Sequence, residues 1–154
     1  MKKLKVGDKL PTFSGIDQFG NTHQSSDYEG TKLVVYFYPK DLTPGCTMQA
    51  CSIRDNYEAL LNAGYTIFGV SADTVALHAR FTEKKQLPFT LLADVDKKII
   101  NEFGVWGPKK FMGREYNGIH RTTFVSNEKG IITAIITKPK TKIHAQEILE
   151  LEKK

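Results

Sequence analysis

The chain is sparing with cysteine and tryptophan, holding two of the former and one of the latter in 154 residues. Its longest apolar run is six residues, Leu33 to Tyr38. A membrane-crossing helix needs about 20 apolar residues, so no span is expected. Two cysteines are too few for the stapled scaffold of a small secreted domain. Internal repeats, low-complexity tracts and arginine-rich runs are absent, so neither disorder nor nucleic-acid binding is expected. The net charge of +5 is scattered, with a loose cluster at Lys138, Lys140 and Lys142, and reads as a solvated surface. The basic start Lys2-Lys3-Leu4-Lys5 is followed by no apolar segment, so a secretory signal is not expected and the cytoplasm is.

What is present fits one globular domain over residues 1–154, 40% hydrophobic and 25% charged, with a single sizeable core. Asp17-Gln18-Phe19-Gly20-Asn21 carries turn signals and predicts an N-terminal hairpin. Residues 33–38 and 65–70 read as strands buried on both faces. Between them, Ala50, Ile53, Tyr57, Leu60 and Leu61 recur at helical spacing up to Gly64. A helix over 74–86, a strand over 89–92 and a short helix over 97–103 follow. Residues 121–125 and 131–137 flank a turn as an antiparallel hairpin, and 143–151 closes as an amphipathic helix. The expected fold is α/β: a thioredoxin-like mixed sheet with helices on both faces and an N-terminal hairpin extension.

Cys46 and Cys51 lie five residues apart in Asp41-Leu42-Thr43-Pro44-Gly45-Cys46-Thr47-Met48-Gln49-Ala50-Cys51. Pro44 suits the first turn of a helix, because its missing N–H has no intrahelical acceptor there. A thiol at that position meets the positive end of the helix. A cation from elsewhere in the chain, and the Thr43 hydroxyl, are further candidates to favour the thiolate, which is the reactive form. On one continuous helix, five residues give a rise of ~7.5 Å and put the Cα atoms roughly 8–9 Å apart. A disulfide tolerates at most ~7 Å. The pair therefore bridges only if the first turns unwind. The bland reading is two ordinary buried cysteines. A zinc site needs about four ligands, and His23, His78, His120 and His144 lie far from the pair without ligand-like spacing, so no metal is expected. The spacing also excludes a C-x-x-C redox motif.

The segment Tyr38 to Asp55 resembles the active-site stretch of peroxiredoxins, in the Q-type or bacterioferritin comigratory protein branch. The pattern Pro-x-x-x-Thr-x-x-Cys is met by Pro39, Thr43 and Cys46, and a second cysteine five residues on is that branch's resolving thiol. Val70-Ser71-Ala72-Asp73, Phe89 to Asp94, Gly104-Val105-Trp106-Gly107 and Gly118 to Val125 extend the resemblance over nearly the whole chain.

The resemblance implies a thiol peroxidase acting on hydrogen peroxide and organic hydroperoxides. Cys46 would attack and become a sulfenic acid, Cys51 would resolve it as an intramolecular disulfide, and thioredoxin or glutaredoxin would reduce that disulfide. Arg121 is implied beside Cys46. Thr43, Pro44, Gly45 and Arg121 are implied to hold the peroxide, and Pro39 to shield the thiolate. No metal, flavin or haem is implied, and a monomer suffices. If Arg121 faces Cys46, strand alternation turns His120 away, so His120 reads as structural. Trp106 reads as a packing residue, and Arg54 and Asp55 as solvent-facing charges. A non-enzymatic redox sensor or holdase using the same pair is the alternative.

Overall fold

The computed structural model describes residues 3–153. A short hairpin, β1 (Ser14–Asp17) and β2 (Thr22–Gln24), opens the described fold. Its turn is tied by Asp17 Oδ1, which accepts from the N–H groups of Phe19 and Asn21. Then come β3 (Lys32–Phe37), α1 (Pro44–Asp55), α2 (Tyr57–Asn62), β4 (Tyr65–Ser71) and α3 (Val75–Lys85). β5 (Thr90–Ala93), α4 (Lys98–Glu102), β6 (Trp106–Phe111) and β7 (Arg114–Ile119) follow. β8 (Thr122–Ser126), β9 (Ile132–Ile136) and α5 (His144–Glu150) complete the order.

Seven strands form one mixed sheet in the order β2-β1-β5-β4-β3-β8-β9. β3, β4 and β5 are parallel at its centre. The others join antiparallel. The centre is covered on both faces, which is why β3 is apolar without alternation. Val34 and Tyr36 pack with Ile53, Leu60, Phe81 and Ile148 from the helices on one side. Leu33, Val35 and Phe37 pack with Ile99, Ile100 and Phe103 on the other. The expected thioredoxin-like fold, with its N-terminal hairpin, is what the chain adopts.

Three details differ from the sequence reading. The helix expected to run to Gly64 breaks at Asn56 into α1 and α2. There the Asn56 side chain donates to the Ser52 carbonyl, competing with the helix for its own acceptor. A second sheet, the two-stranded β6–β7 ribbon, was not expected at all. Its two-residue turn, Met112 and Gly113, holds both residues at positive φ, 50° and 80°, as tight hairpins require. Finally, Arg121 lies just before β8 rather than on a strand.

Candidate active site

β3 delivers the chain into a short, heavily bonded loop before α1. Asp41 is buried. Its carboxylate accepts from the Tyr38 hydroxyl at 2.5 Å and pairs with His78 Nδ1 at 2.5 Å. His78 Nε2 reaches the Leu92 carbonyl at 2.9 Å. The Asp41 N–H donates to Asp73, which also accepts from Ser71 Oγ. Leu42 sits at φ 64°, a left-handed conformation unusual for a branched residue. These bonds hold it there and fix where α1 begins.

α1 starts at Pro44, with Thr43 as its extended N-cap residue. The Thr43 hydroxyl donates to the Lys40 carbonyl at 2.7 Å rather than capping the helix, which leaves its lone pairs as acceptors. Thr47 N–H already bonds the Thr43 carbonyl. The N–H groups of Gly45 and Cys46 have no intrahelical acceptor, as for any first turn. Cys46 therefore sits at the positive end of a 12-residue helix, which interacts favourably with a negative sulfur. It is only 2% exposed. Pro39 is half-buried just past β3, and Pro44 is exposed at the first helical position.

Arg121 comes from the segment just before β8, the strand paired with β3. Its Nη2 donates to Cys46 Sγ at 3.2 Å, and its Nη1 donates to Gln49 Oε1 at 2.6 Å. Gly45 lies directly beneath it, where a Cβ would come within 3.4 Å of Nη2. Tyr36 also lies close enough for Cys46 to act on it electrostatically, after burial, which is the main reason its phenol is pushed well above the ordinary tyrosine range. Cys46, Gly45 and Arg121 thus converge, with Thr43 at the helix start. Cys51 stands apart on the unbroken α1, half-buried, and both thiols are free. His120 is turned to the ribbon, with Nε2 3.0 Å from the Pro108 carbonyl.

Gln49 was missed by the sequence reading, and so was Lys109. Gln49 is fully buried, yet nothing in a helical polar residue announces that. Its Nε2 is buried without a hydrogen-bond partner among the described residues. Lys109 Nζ donates to the Ile119 carbonyl at 2.9 Å, two residues ahead of Arg121. Arg54 is not a free surface charge, because it donates to the Lys85 carbonyl at 2.7 Å and pairs with Asp55. Trp106 packs against the second core, with the Lys97 ammonium 5.1 Å above its ring.

One histidine does have ligand-like neighbours, contrary to expectation. Asp41, Asp73 and His78 bring their ligand atoms within 4.8 Å of one another. Each of these side chains is already engaged by the loop bonds described above, and neither cysteine belongs to the group. Among the described residues, no helix is long and apolar enough to cross a membrane.

Residues 6–135 match the model of the AhpC/TSA family. Peroxiredoxin Bcp of Escherichia coli K12 is 46% identical over 149 residues, covering 97% of this chain and 96% of that protein. The fold superposes with a TM-score of 0.86 on the Xanthomonas campestris bacterioferritin comigratory protein, a structure described for its alkyl peroxide reduction activity. That protein is 31% identical, over 95% of this chain and 98% of the other. A PrxQ cysteine mutant from Xylella fastidiosa matches at a TM-score of 0.92 and 29% identity, over 99% and 98% of the two chains. The chain belongs to the AhpC/TSA family and is a thiol-dependent peroxiredoxin.

Proposed function

We propose that Cys46 is the residue that attacks the peroxide and Cys51 the one that resolves the product. The observation that carries this reading is the Arg121 guanidinium 3.2 Å from Cys46 Sγ, at the first turn of α1. Guanidinium and helix end both favour the thiolate. The sulfur attacks the terminal oxygen of a hydroperoxide, an S–O bond forms and the O–O bond breaks. The peroxide is reduced to water or an alcohol, which takes up a proton, and Cys46 is oxidised to the sulfenic acid. Arg121 and the N–H groups of Gly45 and Cys46 face the negative charge that moves onto the leaving oxygen. The Thr43 hydroxyl, with its hydrogen given to Lys40, accepts the hydrogen of the incoming peroxide. Pro39 covers the loop side of the site.

Cys51 then attacks the sulfenic sulfur. An S–S bond forms and water leaves. Both cysteines lie on one unbroken helix, and that geometry places their Cα atoms beyond disulfide reach. α1 must therefore unwind between them. The resulting disulfide is reduced by exchange with a dithiol protein of the thioredoxin or glutaredoxin kind. The substrates are hydrogen peroxide and organic hydroperoxides, and the alkyl peroxide reduction described for the Xanthomonas relative supports the organic class. The 154 residues act as one domain and as a monomer, since both thiols come from one chain. The cytoplasm, where such reductants hold thiols reduced, is the compartment that suits the cycle.

Peroxide consumption coupled to a thioredoxin system tests the assignment. Multiple turnovers are expected from the parent and none from Cys46→Ser. Full turnover by that variant, or a single turnover by the parent as in a redox sensor, would overturn it.

A further inference from the structure

The β6–β7 ribbon pairs with no strand of the main sheet, yet it grips the segment that delivers Arg121. His120 N–H donates to the Val105 carbonyl at 2.6 Å, and His120 Nε2 lies 3.0 Å from the Pro108 carbonyl. Lys109 adds a third tie, from its ammonium to the Ile119 carbonyl at 2.9 Å. Its stem passes over Gly118, where a Cβ would lie 3.2 Å from Lys109 Cδ, so the crossing is a close one. Lys109 is half-buried, although lysine ordinarily keeps its ammonium in water.

We propose that Lys109 is a positioning residue for the peroxidase reaction, a second cation that fixes the backbone feeding Arg121 and adds positive potential at Cys46. The proposal rests on Cys46 being the attacking thiol. Lys109 and Arg121 repel one another, and an anionic sulfur at Cys46 would offset that repulsion. The behaviour of the ammonium agrees. Burial holds its pKa below the ordinary lysine value, the charge of Arg121 presses it the same way, and Cys46 opposes both. Charged and titratable groups near the sulfur come from several parts of the chain. Arg121 precedes β8, Lys109 lies on β6, Cys51 shares α1, and Tyr36 on β3 stays neutral because burial pushes its phenol far up.

The test uses Cys51→Ser as the parent, so that Cys46 is the single thiol and its thiolate absorbance can be titrated. Lys109→Met removes charge and hydrogen bond, Lys109→Gln keeps a donor without charge, and Lys109→Arg keeps both. Loss of the charge is expected to raise the Cys46 titration midpoint by about half a pH unit. It should slow the reaction with hydrogen peroxide by about tenfold. Lys109→Arg should recover both. Should the methionine variant fail to fold, the glutamine variant carries the comparison. An unchanged midpoint in both neutral variants, or an arginine variant as impaired as they are, would overturn the proposal and leave Lys109 a packing residue. Failure of the underlying assignment shows separately, as peroxide consumption that survives Cys46→Ser.

Discussion

Arg121 holds Cys46 and Gln49 with the two arms of one guanidinium, at 3.2 Å and 2.6 Å. Those two residues are one helical turn apart on α1. The arginine is therefore aimed by the helix whose cysteine it serves. Replacing Arg121 with methionine keeps much of the stem and removes both bonds. The loss of a charged donor at a developing oxyanion costs about 100- to 1,000-fold in rate. Stopped-flow measurement of the first oxidation step should show that loss with an unchanged far-ultraviolet spectrum. A variant as fast as the parent would remove Arg121 from the site.

Gln49 separates aim from charge. Gln49→Met takes away the acceptor that orients Arg121 but leaves the guanidinium in place. A hydrogen bond to a charged group contributes about 1.5–3 kcal/mol, and losing part of it in the transition state should slow peroxide reduction by about tenfold. Stability should fall by less than that bond contributes, because methionine also removes the buried Nε2 that has no partner among the described residues. A variant that loses stability without losing rate would show that Gln49 serves packing alone.

The central strands and the start of α1 were legible because local chemistry and tertiary role coincide there. Leu33 to Tyr38 is apolar on both faces because both faces are covered. Pro44 marks the helix start because only the first turn tolerates it. The ribbon was illegible for the opposite reason. Phe111 to Asn117 are all exposed, so no burial pattern marks the strands, and the Met112-Gly113 turn was the one local signal. Cys46 and Thr43 stood out through spacing and residue type. Gln49 and Lys109 did not, because a glutamine in a helix or a lysine in a ribbon carries meaning only once Arg121 and Ile119 are beside it. The break at Asn56 depends on a side-chain rotamer, which periodicity does not encode.

Disulfide formation should cost the first turns of α1. The helix spans both cysteines without a break, and roughly 8–9 Å between their Cα atoms exceeds what a disulfide tolerates. Oxidation by one equivalent of peroxide should leave a monomeric mass two hydrogens lighter. Amide exchange over residues 46–52 should accelerate while β3 and β4 stay protected. Equal protection of α1 in both redox states would refute local unwinding. Cys51→Ser should stop at the sulfenic acid and lose recycling by a dithiol reductant.

His144 gives stability a pH dependence unrelated to the thiols. It is fully buried, with Nε2 2.9 Å from Thr123 Oγ1 and Nδ1 3.0 Å from Glu147 Oε1. The neutral ring satisfies both, accepting from the threonine and donating to the glutamate. Burial lowers its pKa, the Glu147 bond opposes, and the charge of Arg121 adds slightly to the lowering. The folded state thus binds this proton less readily than the unfolded chain does. Below the ordinary histidine value of 6.5, the unfolded state gains a proton that the folded state does not. Stability then falls as pH drops, by up to about 1.4 kcal/mol per unit from this group, until the folded pKa is reached. Urea unfolding of the reduced protein at pH 7.5 and 5.5 should show the decline. His144→Gln, which keeps a donor and an acceptor but does not titrate, should show a smaller one. Equal declines in the two proteins would assign the acid sensitivity to other groups.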